Sequence, residues 1–198
     1  MATQSERRAA TRAALIEAAQ KLFAKQGYEA TSTDQILAGA GVSRGAMYYH
    51  FATKQDVFEA VFIAASDGAI RRSGRAAKVT HSPLESLTNT CLAWLKEVRA
   101  PDVAAILIDQ GPQVLGWKRA RDLEAETSLG LMTKGLIAAA EAGEIEVPSI
   151  DLAARFLNAA LAEAALVSLH GERRVTHAEL ETSIRRVIDG MTPNGSTS

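Results

Sequence analysis

The sequence lacks the motifs that mark the common enzyme classes. Its 198 residues contain no P-loop, no dinucleotide-binding fingerprint and no nucleophile motif. Its four histidines, His50, His81, His170 and His177, do not have the spacing of metal ligands. We therefore expect no enzymatic activity, no cofactor and no metal.

Cysteine and long apolar runs are scarce as well. The one cysteine, Cys91, excludes a disulfide within the chain and suits a reducing cytosol, and its apolar neighbours favour a buried structural thiol. No apolar run approaches the ~20 residues of a membrane span. The polar residues 1–10 lead into an amphipathic pattern and not into a signal peptide. The expectation is a cytoplasmic protein with no membrane segment.

Charge is close to balanced but unevenly distributed. The net charge is −1, which alone gives no hint of a polyanionic partner. Residues 1–54 carry seven Lys and Arg against four Asp and Glu, a net charge of +3, and the remaining residues carry a net charge of −4. A basic N-terminal segment followed by an acidic remainder of the chain is typical of a localised nucleic-acid contact. A difference this small also arises by chance, so it is weak evidence alone.

Helical periodicity is what the sequence does contain, along almost its whole length, while strand-like alternation is hard to find. The pattern predicts an all-α protein of about nine helices. They cover residues 5–26, a short helix ending at 39–41, a third from 43 to 50 or 51, a fourth after 53, and then 83–99, 102–110, 115–142, 150–169 and 177–191. Gly111-Pro112 is expected to interrupt the chain between helices six and seven.

Residues 33–50 form the most informative segment. Ser32 with Gln35 makes a capping box for the second helix, with Thr31 and Asp34 as an alternative pair, and Gly41 suits a tight left-handed turn. Two short helices joined by such a turn have the dimensions of a helix-turn-helix. Its apolar positions can pack on the first helix, which leaves a cation, small residues and hydrogen-bonding aromatics outside. Such groups suit a DNA groove and its phosphates.

The stretch from Leu15 to Phe58, LIEAAQKLFAKQGYEATSTDQILAGAGVSRGAMYYHFATKQDVF, resembles the DNA-binding domain of the tetracycline-repressor (TetR) family. The shared features are AAxxLFAxxGY, the T-S before helix two, AGVSxGxxYYHF and the Lys two residues beyond Ala52. The resemblance covers roughly the first 60 residues, and beyond them only the helical layout is similar. One departure is Leu37, where the family usually has alanine.

The resemblance implies roles for individual residues of the motif. Tyr48, His50 and Lys54 are implied to bind phosphates, with a further phosphate contact near Ser32 or Thr33. Arg44 is the best candidate for reading a base, because a guanidinium can bond guanine O6 and N7 together. The full expected DNA-contact set is Ser32, Thr33, Ser43, Arg44, Gly45, Tyr48, Tyr49, His50 and Lys54. The alternatives are that either tyrosine only packs, that His50 only caps helix three, and that Arg44 is a solvated charge or phosphate clamp.

The resemblance also implies a division into a DNA-binding domain, residues 1–53, and a ligand-binding and dimerisation domain, residues 54–198. Helices five to seven would enclose a small-molecule pocket, and its apolar lining indicates an apolar or amphipathic ligand. The candidate lining residues, each of which could equally be plain core, are Cys91, Trp94, Trp117, Leu131 and Met132.

Helices eight and nine are implied to form a homodimer. Helix eight supports this independently, because it carries a stripe of small and apolar residues on which a partner helix can approach closely. Packing within the monomer is the alternative for part of this face. The expected interface residues are Phe156, Ala160, Ala164, Val167, Ile184 and Ile188.

The expected function is therefore a repressor that binds a palindromic double-stranded operator and is released by a small molecule. The alternative is a TetR-like regulator that answers to a partner protein or binds DNA constitutively. The basic segment 71–82, which breaks the helical pattern, is interpreted as a solvated helix end and connector and not as a second DNA contact.

Overall fold

The computed structural model describes residues 3–171 and 175–193, and every regular element within them is helical, which confirms the all-α prediction. Residues 1–2, 172–174 and 194–198, which the two predicted domains include, lie outside the described residues. The elements are α1 (Gln4–Ala30), α2 (Thr33–Ala40), α3 (Arg44–His50), α4 (Lys54–Ala76), α5 (Pro83–Val98), α6 (Pro101–Ala104), a π-helical segment (Ala105–Gln110), α7 (Gly111–Leu115), α8 (Trp117–Glu141), α9 (Ile150–His170) and α10 (His177–Asp189). Predicted helices seven, eight and nine correspond to α8, α9 and α10.

The helix starts follow the capping residues that the sequence offers. The Ser32 hydroxyl accepts a hydrogen bond from the Gln35 backbone N–H, and the Gln35 side chain accepts one from the Ser32 N–H. Of the two alternatives at this helix, the Ser32–Gln35 box is therefore correct. Gly41 has φ +65° in the turn between α2 and α3, a left-handed conformation that glycine adopts without strain. Each cap of this kind is worth about 1 kcal/mol.

The described chain divides into two compact units. The first consists of Met1–Asp67 and Ala100–Asp122, and the second of Gly68–Arg99 and Leu123–Ser198. This division differs from the expected boundary at residue 53. In the first unit, α6 and the π-helical segment contact α1, and Gln110 Nε2 donates to the Phe23 carbonyl at 3.1 Å. The 100–122 segment therefore packs with the helix-turn-helix, far from it in sequence.

Residues 101–116 also correct the prediction of an interruption at Gly111-Pro112. The helix continues through Pro112 as α7, and the break comes at Gly116, which has φ +80°. Gly111 is required where it stands, because a Cβ there would lie 2.5 Å from the Phe62 ring. A proline in a helix removes an N–H and crowds the carbonyl four residues earlier, and the π-helical turn just before Pro112 accommodates this.

The core of the first unit lies between α1, α2, α3 and the start of α4. Phe23 and Phe58 are fully buried, with their ring centroids 5.3 Å apart, and the Tyr28 ring packs on both. Burying each phenylalanine contributes roughly 1.5–3 kcal/mol. Met47 of α3 and Ile36 of α2 are also fully buried, so α3 is held by one face only.

The second unit is built on α5, α9 and α10, which contact one another. Glu144 fixes the start of α5, because its carboxylate accepts hydrogen bonds from the Ser82 hydroxyl at 3.0 Å and the Leu84 N–H at 2.7 Å. A carboxylate at a helix N-terminus also complements the helix dipole. In the same unit Arg72, near the end of α4, pairs with Glu97 of α5 at 2.5 Å, a contact between helices that the sequence did not predict.

One helix among the described residues, α9, is long and apolar enough to cross a membrane by length and composition alone. The expectation that no apolar run approaches such a length still holds, because polar and charged residues interrupt α9. Only 28% of its most apolar window is buried. Apolar helices that pack inside or between soluble chains pass the same test, so the finding is weak evidence for a membrane segment.

Candidate nucleic-acid interface

The exposed face of α3 is the central feature of the helix-turn-helix. Ser43 caps the helix, since its hydroxyl accepts a hydrogen bond from the Ala46 N–H at 3.2 Å. With Met47 buried beneath, Tyr48 is 49% exposed and Tyr49 is 62% exposed. Exposure of this size is hard to reconcile with a purely packing role for either ring. His50 is half-buried, with its ring 5.1 Å from that of Tyr49.

Arg44 at the start of α3 has a partner that the sequence did not reveal. Its Nη2 lies 2.5 Å from Asp34 Oδ1 of α2, and both side chains are mostly exposed. An exposed ion pair of this kind is worth about 0–1 kcal/mol. Asp34 therefore orients the guanidinium in the free protein, and a guanine edge can compete for it.

Lys54 is placed differently from a free phosphate clamp. Its Nζ donates to the Tyr28 carbonyl at 2.9 Å and to the Thr31 carbonyl at 3.0 Å, and it lies 4.0 Å from the centre of the Tyr28 ring. Two of its three N–H groups thus join the start of α4 to the end of α1, and one remains.

Burial raises the pKa of the Tyr28 hydroxyl, with smaller contributions from the charges of Glu29 and Asp56.

Gly45 offers a direct test of close approach by DNA. A Cβ at this position would meet nothing within 4 Å, and the backbone is helical. Gly45→Leu should therefore fold normally, with up to about 1 kcal/mol gained from helix propensity. We expect it to weaken operator binding by at least about tenfold, or 1.4 kcal/mol, because the added side chain keeps α3 from approaching the DNA groove closely. Thermal melts measure the stability and operator titrations measure the binding. Tight operator binding by Gly45→Leu would contradict the placement of α3 in the DNA interface.

The expected ligand-lining residues separate into two groups. Cys91 of α5 and Met132 of α8 are buried in the second unit, and Trp94 is half-buried. Trp117 and Leu131 are 59% and 55% exposed in the single chain, where neither is enclosed, and their place in a ligand site stays a prediction. Apolar periodicity predicted their helix correctly but not the direction in which they point. The described residues hold no group of three or more His, Cys, Asp or Glu side chains that could bind a metal ion.

Cys91 is expected to be chemically inert in the native protein. Burial raises the pKa of its thiol from the ordinary value of 9.0 to about 12. Between those values the unfolded chain has lost the proton that the native state keeps, so stability falls as the pH rises, by up to about 1.4 kcal/mol per pH unit. We expect iodoacetamide to modify the thiol only after denaturation. Denaturant titrations from pH 8 to 11 should show a shallower loss of stability in Cys91→Ala, and rapid labelling of the native thiol would contradict the assignment.

The expected dimer residues are also only partly exposed. Phe156 is 66% exposed and Val167 is exposed, with Ala160 and Ala164 half-buried beside them on α9. Ile184 and Ile188 of α10 are buried within the single chain, and a contact between them and a partner stays a prediction. The alternative of packing within the chain therefore holds for α10's apolar stripe. Leu152, one turn before Phe156, extends the exposed apolar face.

A helix-turn-helix whose outer helix presents a cation, a glycine and two exposed tyrosines defines a transcription regulator that binds DNA. Comparison with known proteins agrees. A model for bacterial regulatory proteins of the tetR family matches residues 15–61, and a model for the tetracyclin repressor-like C-terminal domain matches residues 84–191. The chain belongs to the TetR family.

Individual relatives share less of the chain. The transcriptional repressor KstR2 of Mycobacterium tuberculosis is 28% identical over 104 residues, which is 52% of each protein. The chain spans between 24% and 52% of the length of the curated relatives it matches. A TetR-family regulator of Pectobacterium atrosepticum has a TM-score of 0.79 at 24% identity, covering 96% of this chain and 98% of its own. RolR in complex with the ligand resorcinol has a TM-score of 0.74 at 18% identity, covering 96% and 90%. These two structures establish the fold alone.

Proposed function

We propose that this regulator is a homodimeric repressor that binds a palindromic operator through α3 and acts in the cytoplasm, not as an enzyme. The observation that carries the proposal is the face of α3, which is held by buried Met47 on one side and presents Tyr48 and Tyr49 on the other. Such exposed polar aromatic side chains, on a helix that is capped and firmly packed, are suited to contact DNA.

Within this interface the contacts divide by chemistry. Tyr48 and His50 bind phosphates, and Arg44 leaves Asp34 to read a guanine edge. Ser32, Thr33 and Ser43 lie at the N-terminal ends of α2 and α3, where a phosphate is favoured by the backbone N–H groups. Lys54 contributes through its remaining N–H.

Dimerisation is part of the same proposal, because two recognition helices in successive major grooves must lie about 34–36 Å apart. The exposed apolar face of α9, with Leu152, Phe156 and Val167, supports a two-fold interface with a second copy. The C-terminal part of the chain, within residues 54–198, then holds both the dimer interface and the ligand.

Release by a small apolar or amphipathic ligand is the regulatory part of the proposal. Cys91 and Met132 offer an apolar lining in the second unit, and the similar RolR was crystallised with resorcinol. Such a ligand need only bind more tightly to the conformation that has low affinity for DNA. To change the ratio of this conformation to the DNA-binding one from 1:99 to 99:1, the ligand must prefer it about 10⁴-fold, or by ~5.5 kcal/mol. Control by a partner protein, or constitutive binding, is the alternative.

The test begins with selection of duplexes from a random library by the full chain. We expect a palindromic consensus, with Kd between about 10⁻⁸ and 10⁻¹¹ M. Phenolic and other small apolar or amphipathic compounds would then be screened by tryptophan fluorescence and by operator release. Linkage requires that operator weaken the compound's binding by the same factor by which the compound weakens operator binding. A failure to enrich any duplex contradicts the function, while ligands that bind without releasing DNA favour the alternative.

A further inference from the structure

The first turns of α1 extend beyond the part of the DNA-binding domain that the family model matches. The family model begins to match at residue 15, whereas α1 begins at Gln4. Its start is a formed helix end, since the Thr3 hydroxyl accepts from the Glu6 N–H and the Glu6 carboxylate accepts from the Thr3 N–H at 2.6 Å. Residues 4–14 therefore add about 16 Å of helix.

Two arginines on this extension face the end of the recognition helix. The Arg8 guanidinium lies 5.1 Å from the centre of the Tyr49 ring, and the Arg12 guanidinium lies 5.2 Å from the centre of the Phe51 ring. Four residues apart, they share one side of α1 and are separated by about 6 Å along its axis. Neither has an ion pair with a carboxylate in the part of the chain that the structure describes.

The ring contacts leave both arginines able to bind a phosphate. Each guanidinium carries five N–H donors, and none of those of Arg8 or Arg12 is hydrogen-bonded to an acceptor among the described residues. The edge of a guanidinium matches the two oxygens of a phosphate. The nearest acid in the extension, Glu6, is occupied at the helix cap. The result is two cations with unused donors, one beside Tyr49 and one beside Phe51.

We propose that Arg8 and Arg12 form a second DNA contact, in which the extension of α1 binds backbone phosphates that flank the groove read by α3. Tyr49 and Phe51 are positioning residues for this contact, because their rings hold the two guanidinium groups. The inference rests on the proposed function, since it requires that α3 faces DNA. The surface carries no sequence information and extends the footprint beyond the bases that Arg44 reads.

The test compares the salt dependence of binding for matched variants of the full chain. Each phosphate contact contributes about 0.9 to the slope of log Kobs against log salt concentration. The double variant Arg8→Gln/Arg12→Gln should therefore reduce the slope by about two, weaken binding to operator and scrambled duplexes alike, and leave the base preference unchanged. Arg8→Lys/Arg12→Lys, which keeps both charges, should retain most of the slope.

Lys25→Gln is the control, because it removes an exposed cation near the other end of the same helix, more than three turns from Arg12. Circular dichroism melts verify that every variant folds. A wild-type slope in the double glutamine variant, or an equal reduction per charge in Lys25→Gln, overturns the proposal while leaving operator binding by α3 intact. A wild-type protein that selects no duplex overturns the proposed function instead, so the two failures are distinguishable.

Discussion

Phe156→Arg is expected to give a folded monomer that no longer binds its operator. The side chain is 66% exposed on α9, so arginine is tolerated in the single chain, but in a two-fold interface it places a charge from each copy in an apolar contact. Aromatic residues at the centre of an interface commonly contribute 2 kcal/mol or more, so the dimer dissociation constant should rise by about 30-fold at least. A monomer presents one recognition helix where the palindrome needs two.

The measurements are sedimentation velocity at micromolar concentration and operator titration of the same samples. Val79→Arg is the matched control, because Val79 is 82% exposed in the segment between α4 and α5 and lies outside α9. It should remain dimeric and bind as the wild type does. A dimeric Phe156→Arg variant would place the interface elsewhere, and a monomeric wild type would contradict the dimer itself.

Arg44→Ala is expected to cost roughly 1–3 kcal/mol of operator affinity and to relax the preference at one base pair in each half-site. Tyr48→Phe and His50→Ala should instead weaken binding to all duplexes alike, since phosphate contacts carry no base information. Asp34→Asn provides the opposite change. It releases Arg44 and removes a negative charge from the interface, so affinity for scrambled DNA should rise while discrimination between sequences falls.

Competition titrations against operator, singly mutated operator and scrambled duplexes separate these effects. Lys21→Gln serves as the control for Arg44→Ala, because Lys21 forms an exposed pair with Glu17 on α1. An Arg44→Ala variant with unaltered base preference would reassign Arg44 as a phosphate clamp, which the sequence left open. Unchanged discrimination in Asp34→Asn would mean that the ion pair has no part in positioning the guanidinium.

Local chemistry made the helix-turn-helix predictable. Ser32, Gln35 and Ser43 cap their helices through hydrogen bonds that span only three residues, and Gly41 adopts its left-handed turn in place. Such interactions depend on neighbours in the chain, so the sequence by itself determined where α2 and α3 begin and what α3 carries. The same locality made the resemblance to the TetR family readable over the first 60 residues.

Tertiary structure decided whatever depends on distant partners. The Phe62 ring leaves no room for a Cβ at position 111, so glycine is needed there. The helix also continues through Pro112, where the sequence pattern predicts a break. Lys54 is bound by carbonyls 23 and 26 residues away, which no spacing rule anticipates.

The apolar stripes of α9 and α10 look alike in sequence, yet Ile184 is buried in its own chain and Phe156 is exposed to solvent. Periodicity shows that a helix has an apolar face, and only packing decides which surface covers it, because the free energy of burial is the same against either.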